Sequence, residues 1–202
     1  KERDGKLGVF WHTQGSGKSY SMALFAQKVR RKLGGGFTFL VLTDRTDLDG
    51  QIYKTFAGVG LADNDKDPCR ADSGQQLRGL LGQHKSVVFS LIQKFNTAIK
   101  LSECVNNSAD IIVLIDEGHR SQGGENHIRM KQALPNASFV AFTGTPLLKD
   151  DKTTNKFGPI VHAYTMQRAV EDRTVTPLLY EERIPDLDVN ERAIDSWFER
   201  IT

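Results

Sequence analysis

Two short clusters in this sequence hold residues whose types and spacing could do chemistry. The first is Thr13-Gln14-Gly15-Ser16-Gly17-Lys18-Ser19. Glycines at 15 and 17 let the backbone take dihedrals that aim successive N–H groups inward at phosphate oxygens. A helix starting at Ser19 would turn the positive end of its dipole toward the same anion. Lys18 would reach the β- and γ-phosphates, and the Ser19 hydroxyl would sit on Mg²⁺. The spacing is that of the phosphate loop, G-x-x-x-x-G-K-[ST], with His12, read as a turn residue, where the first glycine of that pattern stands.

The second cluster is Asp116-Glu117, delivered by the apolar run IIVLI. A carboxylate at the carboxyl end of a strand lies where doubly wound sheets place their ligands. Asp116 would hold the metal and Glu117 would orient and deprotonate an attacking water. Together the clusters read as a site for a nucleoside triphosphate and Mg²⁺, with Lys18 and Glu117 as its catalytic groups and residues 13 to 19 as its cradle. His119 and His127 are too far apart, with no third ligand placed to join them, to suggest a metal centre.

The elements that must position these groups follow from alternating apolar and amphipathic segments, the pattern of a parallel sheet with helical crossovers. Strands are expected at 7–11, 37–43, 86–92, 110–115 and 138–143. A helix over 19–33 would pack Met22, Phe25, Ala26, Val29 and Leu33, ending at Gly34-Gly35-Gly36. Further helices are expected after Asp47 through Ile52 and Phe56, around 75–85 with a glycine interruption, over 166–172, and from about 190 to 201. Residues 58–74, rich in turn formers and charge, read as a surface loop.

The composition sets bounds. Of 202 residues, 39% are hydrophobic and 26% charged, enough for a core. A net charge of +2 permits a nucleic-acid partner without requiring one. Two distant cysteines make neither a disulfide framework nor a CxxC zinc pair. No apolar run approaches the ~20 residues of a membrane span and no signal peptide is visible, so a cytoplasmic protein without membrane association is expected. The chain opens at Lys1, directly before a core strand, and is expected to be a piece of something longer.

Asp116-Glu117-Gly118-His119 resembles the DEAD/DEAH box of superfamily-two helicases and translocases, with glycine in place of alanine. AFTGTP (141–146) resembles their motif III, and the stretches at 41–52 and 89–95 stand where motifs Ia and Ib belong. The segments WHTQGSGKS, TDRTDLDGQ, LIQKF, IDEGHRSQ and FTGTPL, with the tail from Phe157 to Arg183, resemble the R subunit of type I restriction endonucleases over roughly residues 8–184. Arg173 stands where that family has glycine.

The resemblance implies an α/β RecA-like P-loop NTPase domain, largely parallel, with helices on both faces. It implies an ATP-driven motor that pulls duplex DNA past modification and specificity subunits until a nuclease domain cuts. His119, Thr143 and Thr145 would couple nucleotide to DNA, with the threonines bonding toward Asp116, Glu117 or His119. Thr43, Arg45, Gln93 and Lys94 could grip backbone phosphates. Residues 1–175 would form the first motor domain, and 176–202 an extended segment and helix leading toward a second RecA-like domain. That second domain, with its arginine finger, and the nuclease domain would belong to the same parent chain, leaving this piece nearly inert alone. Two other readings stay open: another superfamily-two DNA or RNA helicase, and a non-motor P-loop nucleotide-binding protein.

Overall fold

The computed structural model describes residues 5–44, 46–62, 69–98, 105–117, 124–146 and 153–177. In chain order these form β1 (Lys6–His12), α1 (Lys18–Leu33), β2 (Thr38–Thr43), α2 (Thr46–Gly58), α3 (Gly74–Leu81), β3 (Val87–Leu91) and α4 (Ile92–Ala98). There follow β4 (Ile111–Asp116), α5 (Gly124–Ala133), β5 (Ser138–Thr143), α6 (Thr153–Phe157), β6 (Ile160–Tyr164) and α7 (Met166–Glu171). The sheet runs β3-β2-β4-β5-β1-β6 and every ladder in it is parallel. Near-continuous apolar runs are what such strands need, because parallel sheets are covered on both faces.

Side-chain alternation splits the core in two. Along β2, Leu40 and Leu42 join Val113, Ile115 and Val88 beneath α3, α4 and α5, whereas Phe39 and Val41 join Leu114 and Phe142 beneath α1 and α2. Met22, Ala23 and Ala26 of α1 are wholly buried, and small residues there bring the helix close to the sheet. Leu33, expected on that packed face, is 69% exposed. It is the last helical residue, and the chain leaves at Gly34, whose φ of 64° closes the helix with its N–H on Arg30 O.

Four elements lie beyond the expected set: α4, α5, α6 and β6. The strand β6 is a sheet edge with a mostly exposed burial pattern, so it lacks the apolar run that marks its neighbours. Its register against β1 slips between Val9 and Phe10. Gly8 makes that pairing possible: at φ 137°, a Cβ there would sit 2.5 Å from Val161 Cγ1 and 2.8 Å from Pro159 O. Of the expected 176–202 segment, all but residues 176 and 177 lies outside the described residues, as does the expected helix from 190.

Candidate functional site

β1 ends at His12, and the loop that follows is shaped by its glycines. Gly15 and Gly17 take φ of 80° and 82°, left-handed values that favour glycine. Ser16 closes the turn, with its N–H and its Oγ both donating to Thr13 O, at 3.3 and 2.6 Å. Gly17 caps α1 with no side-chain hydrogen bond, so the first-turn N–H groups of a 16-residue helix have no side-chain acceptor at the cap. Such a helix start is a seat that an anion could take.

The seat has a floor. Thr13 N donates to Tyr164 O at 3.0 Å, Thr13 Oγ1 lies 3.9 Å from Met166 Sδ, and Gly15 abuts Val175. The turn after β5 closes on it from the other side. Trp11 Nε1 donates to Gly144 O at 3.1 Å, and a Cβ on Gly144 would come within 3.4 Å of Gln14 N and His12 O. Glycine at 144 thus lets one loop pack backbone to backbone on the other. Thr143, fully buried, accepts the Thr145 N–H through its Oγ1 at 3.2 Å, which holds the turn.

β4 brings the acidic pair to the same edge. Lys18 Nζ lies 3.2 Å from Asp116 Oδ1 and hydrogen-bonds Glu117 Oε1. Asp116 is 4% exposed and its Oδ1 has no aligned hydrogen-bond partner. Burial raises the Asp116 pKa above its ordinary value, with the Lys18 charge opposing and the Glu117 charge adding to the shift. The buried Asp116 carboxylate and the Ser19 hydroxyl are oxygen donors that could hold a divalent cation, next to a helix start that could take an anion. Glu117 has φ 51°, a left-handed value costly for a residue with a Cβ. These groups line one cavity of about 640 Å³, with Gln14, Gly15, Gly17 and Ser19 on its cradle side.

The remaining expected residues divide. Thr43 is 1% exposed and packed at the end of β2, so its side chain does not face a solvent-borne phosphate, contrary to expectation. Gln93 Nε2 reaches across to Asp44, donating to its backbone O at 3.0 Å and its Oδ1 at 2.8 Å. Lys94, partly buried, donates to Ala71 O at 3.2 Å. Arg45 and His119 lie outside the described residues.

His12 is a strand residue rather than a turn residue, 7% exposed, with Nε2 2.8 Å from His162 Nδ1 and Nδ1 3.3 Å from Ser21 Oγ. Burial, then the neighbouring His162 and Lys18, lower its pKa. Trp11, Gly144, Tyr164 and His162 escaped the sequence reading because each acts through a partner distant in the chain; the one local signal was the glycine of Thr-Gly-Thr.

The strand order, the cradle at the end of β1 and the acidic pair at the end of β4 define a phosphate-loop α/β domain of the kind found in helicase motors. Residues 1–202 match the SWI2/SNF2 ATPase family, and the chain belongs to it. Solved structures share the fold. The Type ISP restriction-modification enzyme LlaGI, a nuclease-deletion mutant in complex with a DNA substrate mimic, aligns with TM-score 0.60 and 16% identity, covering 83% of this chain and 18% of that one. The UvsW helicase from bacteriophage T4 aligns at 0.56 and 16%, over 78% and 54%. Among relatives, the Type I restriction enzyme HindI endonuclease subunit of Haemophilus influenzae is 40% identical over 220 residues, 98% of this chain and 20% of that protein. The putative type I restriction enzyme MjaIXP endonuclease subunit of Methanocaldococcus jannaschii is 35% identical over 204 residues, 98% and 19%. The chain is homologous to these subunits and spans about one fifth of their length.

Proposed function

We propose that this chain is the first motor domain of a type I restriction endonuclease R subunit, binding and hydrolysing ATP to drive translocation on duplex DNA. The observation that carries it is the convergence of Lys18, Ser19, Asp116 and Glu117 on one cavity, in a chain homologous to type I endonuclease subunits. Residues 13–19 would cradle the phosphates, and Ser19 with Asp116 would hold Mg²⁺. The ion would supply neutralisation of charge on the phosphate oxygens.

The chain's own groups do the rest. Lys18 exchanges its carboxylate partners for phosphate, which frees Glu117 to orient a water and accept its proton. Thr143 and Thr145, in the turn seated on the cradle, would pass nucleotide-dependent shifts onward, with His119 as the third coupling residue. Gln93, Lys94 and Arg45 remain the proposed backbone-phosphate contacts, a kind of contact that tracks DNA without reading sequence. The partners would be duplex DNA, modification and specificity subunits, and the second motor and nuclease domains of the parent, in the cytoplasm, with the domain boundary near residue 175.

The test is calorimetric titration of the chain and of Lys18→Ala with Mg·ATP, with ATPase turnover measured with and without duplex DNA. The expected result is binding that Lys18→Ala abolishes, with slow turnover. Robust turnover indifferent to DNA would overturn the motor reading in favour of a self-contained nucleotide hydrolase.

A further inference from the structure

The cavity above the cradle has a second wall, built by a helix that no phosphate-loop pattern includes. Gln51, Lys54 and Thr55 of α2 line it opposite Lys18 and the acidic pair. Their spacing, i, i+3 and i+4, puts all three on one helical face. The direction of that face is fixed, because Ile52 and Phe56, 1% and 0% exposed, are sunk into the core beside it. The helix is also tied to α1 at its far end, where Gln27 Nε2 donates to Val59 O at 3.3 Å.

The polar groups of that face are unequally committed. Thr55 Oγ1 already donates to Gln51 O at 3.1 Å. Lys54 is exposed, and no described residue pairs with it or accepts a hydrogen bond from it. On the opposite wall Lys18 is engaged by both Asp116 and Glu117. One ammonium against two carboxylates leaves the side chains of that wall with one negative charge in excess. Lys54 is the cation in the described lining that corrects it.

We infer that Lys54 is a second phosphate-binding cation of this site, its ammonium taking charge on the phosphate chain of the nucleotide from the α2 side. This rests on the reading of the cavity as a nucleoside-triphosphate site. A long, compact point charge suits the task, because it can follow the phosphates without a fixed fork geometry.

The experiment titrates the chain, Lys54→Met, Lys54→Arg and Lys18→Ala with Mg·ATP at low and high salt, with thermal melts of each. Lys54→Met is expected to weaken binding roughly tenfold, the scale of one charge-assisted hydrogen bond. The loss should shrink at high salt, Lys54→Arg should recover most of it, and the melting temperature should not move. Binding by Lys54→Met equal to the parent chain, while Lys18→Ala has lost it, overturns the inference and leaves the site reading standing. A loss that Lys54→Arg does not recover, or one accompanied by a lowered melting temperature, also overturns it. Normal binding by Lys18→Ala, or none by the parent chain, removes the site reading and this inference with it.

Discussion

Glu117 holds a left-handed backbone conformation that costs a residue with a Cβ about 1–2 kcal/mol. Its carboxylate is steered onto Lys18 from that position. Glutamine at this position keeps the Cβ and with it the strain, so the replacement isolates the chemistry. Glu117→Gln keeps the size and removes the base, so nucleotide affinity should survive while single-turnover hydrolysis falls by ~10²–10⁴. Hydrolysis within a factor of three of the parent would remove Glu117 as the base. His12 offers a pH signature at the same scale. Its folded pKa is depressed below the ordinary 6.5, so the folded state resists protonation more than the unfolded chain does. The stability it contributes is whole above pH 6.5 and is lost as pH falls through the lowered value. Melts between pH 7.5 and 5 should therefore slope more steeply for the parent chain than for His12→Gln, and parallel slopes would contradict this.

At the scale of elements, β1 does the most positioning. It carries the phosphate loop at its end, sends Trp11 across to Gly144, and pairs with both β5 and β6. Its weakest tolerance is at Gly8, where a Cβ would overlap both Val161 and the Pro159 carbonyl. Gly8→Ala should cost ~2 kcal/mol or more, from overpacking and an unfavourable φ together. Denaturant titration would read this as a lower midpoint at unchanged slope, and a change under ~0.5 kcal/mol, the size of an ordinary surface substitution, would contradict it. The hydrogen bond from Thr13 to Tyr164 implies a second effect, since loosening β6 removes the floor of the cradle. ATP affinity of Gly8→Ala should drop even where the chain remains folded.

For the whole molecule, the cavity lies at the carboxyl edge of the sheet, between the cradle and α2. Under the proposed function the site would be completed by charge from a second domain, and an arginine finger contributes ~10³ or more in rate where one has been measured in other phosphoryl-transfer enzymes. The proposed function therefore predicts slow turnover by this chain and a rise of ~10³ in the full-length subunit with duplex DNA. Equal turnover by both would mean that the described groups already form the complete site.

What was legible in the sequence is what is local in it. The cradle, its lysine and serine, and the acidic pair each lie within a few residues, so backbone freedom and strand ends declare them without knowledge of the fold. The buried strands β2, β4 and β5 were legible for a similar reason, since two covered faces demand an unbroken apolar run. The tertiary structure decided whatever depends on distant partners. His12 meets His162 across 150 positions and Trp11 meets Gly144 across 133, and nothing near either end announces the other. The edge strand β6 has no unbroken apolar run because its middle residues, Val161 to Ala163, are left exposed, whereas β3 at the other edge is buried and reads as apolar. Thr43 looked available at a strand end and is buried there, while Lys54, which belongs to none of the motifs, lines the cavity. Sequence fixes residue chemistry and local backbone freedom, whereas burial and facing are set by how helices close over the sheet.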